Sequence, residues 1–221
     1  MAAGVSLGGV DYGLSTSDGD RPGVRVLLAQ PGAGQPVLGV YGDSYTAGPA
    51  WWAPGAGWAT RVAQWTGALV VNRAVGGTGY VQDPEGRGSI EAQARLHPVR
   101  DADVLAVFGS INDHWTGAIT PAEVGAAATA TYAALRAAAP TARLLVVGPQ
   151  WPATPPPTLL LQQRDAVRAA AQQAGALWLD ASGWLAGRPD LIASDGVHAN
   201  DDGQALLAER IAPSVRALLR A

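Results

Sequence analysis

Residues 37–48 read Val-Leu-Gly-Val-Tyr-Gly-Asp-Ser-Tyr-Thr-Ala-Gly, an apolar run that ends in a polar turn flanked by glycines. A near-continuous apolar run of this kind is typical of a strand buried on both faces of a parallel sheet. The turn carries Ser44 directly after the strand. Because open α/β sheets bind ligands outside the carboxyl ends of their strands, this turn is the first place to expect a functional side chain.

The same alternation of short apolar runs and longer helical patterns continues along the chain. Further strands are predicted at 68–72, 103–108, 143–147 and 176–179, and helices at 57–66, 89–96, 121–139, 158–174 and 202–219. The third of these helices has a clear start signal in Thr120, Pro121 and Glu123. Strands that alternate with helices predict an α/β fold, here a three-layer α/β/α sandwich around a five-stranded parallel sheet.

Residues 1–36 differ in composition from the rest, being rich in Gly, Ser, Asp and Pro. We interpret them as an N-terminal extension in which residues 24–29 are a candidate edge strand. Residues 37–221 are predicted to form one domain. The first 36 residues contain no charged start followed by an apolar core and a cleavage site, so no signal peptide is predicted. The sequence is compatible with an extracellular or a cytoplasmic location.

Composition excludes several kinds of chemistry. The 221 residues include no cysteine and no lysine, which rules out disulfides, thiol nucleophiles and Schiff-base lysines. A net charge of −3 argues against nucleic acid as a partner. No apolar run is long enough to predict a transmembrane helix. No metal-ligand spacing occurs, so neither a metal nor a cofactor is predicted. Oligomeric state has no signal in the sequence.

Four turns predicted at one edge of the sheet carry groups suited to acyl transfer. Ser44 needs a base, and His198 has a carboxylate, Asp195, three residues before it. That spacing lets Asp195 hold one ring nitrogen and leaves the other for Ser44. A developing oxyanion needs donors, and the backbone N–H groups of Ser44 and Gly77 and the side-chain amide of Asn112 are the candidates.

These four segments resemble the four sequence blocks of SGNH hydrolases, which include the GDSL esterases. The matching residues are Gly42-Asp43-Ser44, Gly77, Asn112 and Asp195-Gly-Val-His198. The resemblance implies a flavodoxin-like fold and cofactor-free ester hydrolysis through an acyl-serine. It also implies substrates that range from short acyl esters to lipids and acetylated sugars. Two positions depart from the family: Ser110 stands where the third block has glycine, and Tyr45 replaces the leucine after the serine.

The predicted function is therefore that of a serine esterase acting on a small-molecule or carbohydrate ester. Three alternatives stay open: an acyltransferase, a non-catalytic carbohydrate-binding module on the same fold, and a flavodoxin-like nucleotide binder. The nucleotide binder would use Ser44, Thr46 and Gly48 to hold a phosphate at a helix N-terminus. It leaves Asp195 and His198 unexplained. The complete set of Ser, Asp, His and Asn argues against a purely binding module.

Eight tryptophans are many for this length, and their positions divide them. Those in predicted strands or helices, Trp58, Trp65 and Trp178, are expected in the core. Others follow strand ends and are candidates to line a substrate cleft by stacking on a sugar or an apolar group. They are Trp51, Trp52, Trp115, Trp151 and Trp184.

Several other polar residues have structural interpretations. Asp43 and Asp113 are expected to hold loops by side-chain hydrogen bonds. His97 and His114 are expected at the surface or in packing, although His114 directly follows Asn112-Asp113 and a role at the rim of the site stays open. The segment 4–8 matches the G-x-S-x-G motif around Ser6 but leaves no room for the strand that this motif requires.

Overall fold

The computed structural model describes residues 5–7, 10–12, 34–48 and 57–221. Strands β1 (Val5–Leu7) and β2 (Val10–Tyr12) pair antiparallel in a separate two-stranded sheet. The main sheet has five parallel strands in the order β4-β3-β5-β6-β7. These strands are β3 (Val37–Gly42), β4 (Leu69–Asn72), β5 (Val104–Phe108), β6 (Arg143–Val147) and β7 (Leu177–Leu179).

Seven α-helices connect or follow the strands of the main sheet within the described residues. They are α1 (Ser44–Ala47), α2 (Trp58–Thr66), α3 (Ile90–Leu96), α4 (Ile111–Trp115), α5 (Pro121–Ala138), α6 (Thr158–Gln173) and α7 (Asp201–Arg220). The predicted start of α5 is confirmed, since Thr120 and Glu123 form a reciprocal capping box. Among the described residues, no helix has the length and apolar character needed to cross a membrane.

Alternating side chains along the strands build the two halves of the core. Leu38 and Val40 of β3 pack into one apolar cluster with residues of α2 and α7. Val37 and Tyr41, on the opposite face, pack into a second cluster with residues of α3, α5 and α6. The sheet is therefore covered on both sides, and the predicted three-layer α/β/α sandwich is confirmed.

The structure departs from the sequence-based predictions at a few places. The short helices α1 and α4 were not predicted. Trp58 is fully buried as expected, but the core prediction for Trp65 is wrong, since 44% of that residue is exposed. Trp65 lies to one side of the buried stripe of α2, in its last turn. Ser6 lies inside β1 rather than at a strand-to-helix turn. The candidate strand 24–29 lies outside the described residues.

Candidate active site

The turn between β3 and α1 presents Ser44. At Gly42, which has a φ of 151°, a Cβ would lie 1.9 Å from the carbonyl oxygen of Phe108, so only glycine fits where β3 ends. Asp43 caps α1 by accepting a hydrogen bond from the N–H of Tyr45 at 2.9 Å. Ser44 is the first residue of α1, and its own N–H has no acceptor inside so early a turn.

A series of hydrogen bonds connects this serine to an acidic side chain that is distant in the sequence. Ser44 Oγ lies 2.8 Å from His198 Nε2, although 154 positions separate the two residues. His198 Nδ1 lies 2.7 Å from Asp195 Oδ2. With the ring proton on Nδ1, the imidazole donates to Asp195 and accepts from the serine hydroxyl. This geometry allows the imidazole to take the serine proton.

The loop that carries the acid and the imidazole is closed on itself. The other oxygen of Asp195 accepts the backbone N–H groups of Val197 and His198, each at 2.9 Å. Across the base of the loop, the N–H of Ala193 donates to the His198 carbonyl at 2.7 Å. Burial acts to raise the pKa of Asp195, but the hydrogen bonds from the His198 ring and from the two N–H groups outweigh it and lower this pKa. The carboxylate is therefore ionised at neutral pH.

The loop after β4 lies against the turn that carries Ser44, and α4 is hydrogen-bonded to this loop. A Cβ built on Gly76 would lie 3.7 Å from the Cβ of Ser44, which puts the Gly76-Gly77 turn beside the nucleophile turn. Asn112, in α4, donates from its side-chain amide to the Thr78 carbonyl at 2.8 Å. The structure thus gathers at one edge of the sheet every residue that the sequence assigned to oxyanion binding.

Buried polar side chains hold the loop after β4 in place. Asp113 accepts the backbone N–H groups of three consecutive residues, Tyr80, Val81 and Gln82, at 2.8 to 3.0 Å. At Gly79 a Cβ would lie 2.3 Å from Asp113 Oδ1, so this close approach requires glycine. Gln93 of α3 accepts the N–H of Gly42 and donates to the Thr78 hydroxyl, which joins the end of β3 to the same loop.

Asp43 and Asp113 are both buried directly behind the site. Burial raises the pKa of Asp43 to about 7, opposed by the hydrogen bond from the Tyr45 N–H and reinforced by the charge of Asp113. Burial also raises the pKa of Asp113, against the backbone N–H groups that it accepts. As the sequence predicts, both side chains hold loops by hydrogen bonds.

An aromatic cluster lies next to Asn112. The ring centroids of Trp115 and Trp151 are 5.0 Å apart, and His114 packs edge-on against Trp151 at 5.2 Å. Trp115 is 51% exposed. It is three residues from Asn112 in α4, and side chains with this spacing share a helix face. Burial lowers the pKa of His114, which favours the neutral ring. Exposed Trp115 and half-buried Trp151 therefore form an apolar surface beside the site.

A groove of about 310 Å³ borders the loop that carries His198. Its walls include Pro152 and Thr154 after β6, Arg188, Ile192, and the two neighbours of Asp195 in the sequence, Ser194 and Gly196. Pockets that bind small molecules start at about this volume. The groove and the aromatic cluster adjoin through Trp151 and Pro152, which are consecutive residues.

Among the described residues, the other tryptophans and the histidine singled out from the sequence do not contribute to the site. Trp51 and Trp52 lie outside the described residues. Trp184 is half-buried and packs against the core. His97 is exposed at the end of α3, where its carbonyl accepts the Tyr41 hydroxyl. Sequence reasoning missed Gln93, which carries no local signal because its partners are distant in the chain. It also assigned no role to Tyr45, whose hydroxyl donates to the Val197 carbonyl.

A parallel α/β sheet whose carboxyl edge brings together a serine, an imidazole and a carboxylate has the architecture of a serine hydrolase. Residues 40–206 match the profile of the GDSL-like Lipase/Acylhydrolase family. A GDSL lipase of Mycobacterium tuberculosis (strain ATCC 25618 / H37Rv) is 36% identical over 187 residues, which cover 80% of each chain. The chain belongs to the GDSL-like lipase/acylhydrolase family and is an ester hydrolase of the SGNH type.

Solved structures share the fold at low sequence identity. A family two carbohydrate esterase from Cellvibrio japonicus superposes with a TM-score of 0.71 at 17% identity, over 87% of this chain and 64% of the other. The salicylyl-acyltransferase SsfX3 from a tetracycline biosynthetic pathway gives a TM-score of 0.65 at 18% identity, over 83% of this chain and 55% of the other. At these identities the likeness concerns the fold alone.

Proposed function

We propose that this chain hydrolyses carboxylic esters of short acyl groups, including O-acetylated carbohydrates, through an acyl-serine intermediate. The observation that carries the proposal is the hydrogen-bonded chain from Ser44 through His198 to Asp195. His198 removes the proton of Ser44, which attacks the ester carbonyl. The imidazolium then protonates the leaving alcohol, and the neutral ring activates the water that releases the acid. Asp195 orients the ring and stabilises its charged form.

The oxyanion of each tetrahedral intermediate is held by three donors in this proposal. They are the N–H groups of Ser44 and Gly77 and one N–H of the Asn112 amide. Position supports them, because Gly76 lies against Ser44 and the Asn112 amide is anchored on Thr78. A terminal amide has two hydrogens, so the one not used on Thr78 is available to the substrate.

Hydrolysis requires that water reach the base, and the exposure of the base meets this requirement. The side chains of His198 and Asp195 are 21% and 29% exposed, so water has access to the imidazole.

The family profile over residues 40–206 supports the division into a hydrolase domain at 37–221 and an extension at 1–36.

The substrate class rests on the aromatic cluster and the groove. Exposed Trp115 and its neighbour Trp151, whose ring planes are tilted by 37°, offer apolar ring surface on which a sugar or aryl ring can stack. The groove of about 310 Å³ suits a group of the size of one ring rather than a long acyl chain. We assign these two features to the parts of the ester that flank the scissile bond.

The mechanism is tested by removing the nucleophile. Ser44→Ala is expected to lower kcat on p-nitrophenyl acetate by at least about 10⁴-fold. The wild type should gain one phosphonyl adduct from a fluorophosphonate probe, located at Ser44 by peptide mass spectrometry. Ser182→Ala is the control, because the Ser182 hydroxyl is also hydrogen-bonded to another side chain, in its case the carboxylate of Asp180 at 2.7 Å. Turnover by Ser44→Ala, or a wild type that the probe does not label, would refute the mechanism.

The substrate surface is tested with two exposed tryptophans. Trp115→Ala is expected to raise KM for an acetylated monosaccharide or an aryl acetate by about 3- to 10-fold, the value of one aromatic contact. Trp65→Ala removes an equally large ring, 44% exposed, next to Arg216 near the far end of α7. This control should keep the wild-type KM. Equal KM values in both variants would contradict the assignment of Trp115.

A further inference from the structure

Tyr45 lies between the two loops that meet in the active site. Its side chain is buried, and its ring centroid is 5.9 Å from that of His198 and 6.1 Å from that of Phe108. Its hydroxyl donates to the carbonyl of Val197, the residue before His198. One side chain therefore reaches from the turn that carries Ser44 to the loop that carries the imidazole.

The backbone of Tyr45 is held by hydrogen bonds on both its N–H and its carbonyl, so the position of its side chain is fixed relative to the fold. Its N–H donates to Asp43 at 2.9 Å. Its carbonyl accepts the side-chain amide of Gln204, a buried residue of α7, at 3.3 Å. The same Gln204 accepts the N–H of Trp58 at 2.8 Å. The phenol thus projects from a site anchored to both α2 and α7.

Several hydrogen bonds of the loop that carries His198 are local. The hydrogen bonds of Asp195 to the backbone and that of Ala193 to the His198 carbonyl join residues within 193–198. They shape the loop but do not set its distance from the serine. The hydrogen bond of the Tyr45 hydroxyl does restrain this distance, because it joins the loop to the turn that carries Ser44, 152 positions earlier in the sequence.

We propose that Tyr45 is a positioning residue that holds the Val197 carbonyl, and through it the His198 imidazole, at hydrogen-bonding distance from Ser44. The leucine found in the family motif has no donor for this carbonyl. Burial raises the pKa of the Tyr45 phenol well above its ordinary value, so the hydroxyl keeps the proton that it donates. The inference rests on the proposed function, in which His198 is the base for Ser44.

The kinetic test compares two tyrosine-to-phenylalanine variants. Tyr45→Phe keeps the ring and is expected to lower kcat by about tenfold, the effect of one hydrogen bond, with KM unchanged. The rate of fluorophosphonate labelling should fall by the same factor. Tyr41→Phe is the matched control: the Tyr41 hydroxyl is also buried and binds a backbone carbonyl, that of His97, at 3.2 Å. It packs in the cluster on the opposite face of the sheet and should leave both rates unchanged.

A spectroscopic measurement separates this inference from the proposed function. In ¹⁵N-histidine-labelled protein, the Nδ1–H resonance of His198 reports its hydrogen bond to Asp195 whether or not esters are cleaved. Tyr45→Phe is expected to broaden this resonance, and Tyr41→Phe is not. An unchanged resonance together with wild-type kcat in Tyr45→Phe would overturn the role of Tyr45. Activity retained by Ser44→Ala would instead refute the proposed mechanism, and the resonance would still decide whether Tyr45 positions the ring.

Discussion

Asn112 and Thr78 are joined by a hydrogen bond of 2.8 Å from the side-chain amide of one to the backbone carbonyl of the other. This bond fixes the amide plane and leaves one N–H for the substrate. We expect Asn112→Ala to lower kcat by about 10²- to 10³-fold with little change in KM, because the lost donor acts on the oxyanion rather than on the bound ester.

Asn72→Ala is the control for this prediction. The Asn72 amide makes a bond of the same type, to the Thr46 carbonyl at 2.9 Å, but has no predicted role in oxyanion binding. Steady-state kinetics of both variants should give a much larger loss for Asn112→Ala. Comparable losses would mean that Asn112 acts only as a loop anchor.

Asp195 is expected to contribute by fixing the imidazole tautomer. Asp195→Asn keeps the size of the side chain but presents either an amide hydrogen or an uncharged oxygen to His198 Nδ1. We expect kcat to fall by about 10³- to 10⁴-fold. Asp180→Asn is matched, since Asp180 accepts the N–H of Ser182 two residues later in the same way that Asp195 accepts Val197. If both variants keep wild-type kcat, Asp195 has no part in the reaction.

Ser110 adopts a backbone conformation that favours glycine, with a φ of 95° directly before α4. Glycine in the middle of regular structure normally costs about 0.5–1 kcal/mol relative to alanine. Here we expect the opposite sign: Ser110→Gly should be more stable than Ser110→Ala by about 1 kcal/mol. Both variants lose the hydroxyl, so its loss cancels in the comparison. Urea denaturation measures the difference, and a more stable alanine variant would contradict it.

The pKa of Asp43, raised to about 7 by burial, makes stability depend on pH. The folded state binds this proton more tightly than the unfolded chain. The stabilisation of the folded state by this bound proton is therefore complete below the ordinary carboxyl pKa, and it is lost as the pH rises through about 7. Through one such proton, the free energy of unfolding changes by at most about 1.4 kcal/mol per pH unit.

Asp43→Asn removes this titration and keeps an oxygen for the Tyr45 N–H. We expect the free energy of unfolding of the wild type to fall between pH 5 and pH 8, and that of the variant to fall less. Asp113, whose pKa is also raised, keeps part of the slope in both proteins. Parallel curves for the two proteins, measured in urea at several pH values, would show that Asp43 does not titrate in this range.

The long elements of this fold could be predicted because each has a local cause. The apolar run of β5 lies wholly within the core, and α5 begins with its own capping box. The helices α1 and α4 contain four and five residues, which is too short for a helical period to be recognised. The start of α4 depends on Ser110, and a serine at this position does not itself indicate the positive φ that it adopts.

The residues of the candidate site also fall into those that a local pattern predicts and those that it does not. Asp195 and His198 could be paired because their contact is local, three positions apart. Ser44 could be added because strand ends of a parallel sheet share an edge. The contact of Tyr45 with Val197 could not be predicted, since it depends on how two distant loops approach each other in space. Trp65 was misassigned because a large apolar residue at the flank of a buried stripe resembles a member of that stripe.

The 154 positions between the serine and the imidazole have a practical consequence. A break in the exposed stretch 116–118, between α4 and α5, would leave Ser44 on one fragment and His198 on the other. Neither fragment could cleave an ester alone, and turnover would return only when the two reassociate in the native arrangement. Colour released from a chromogenic ester would then serve as a built-in reporter of complementation, with no added label.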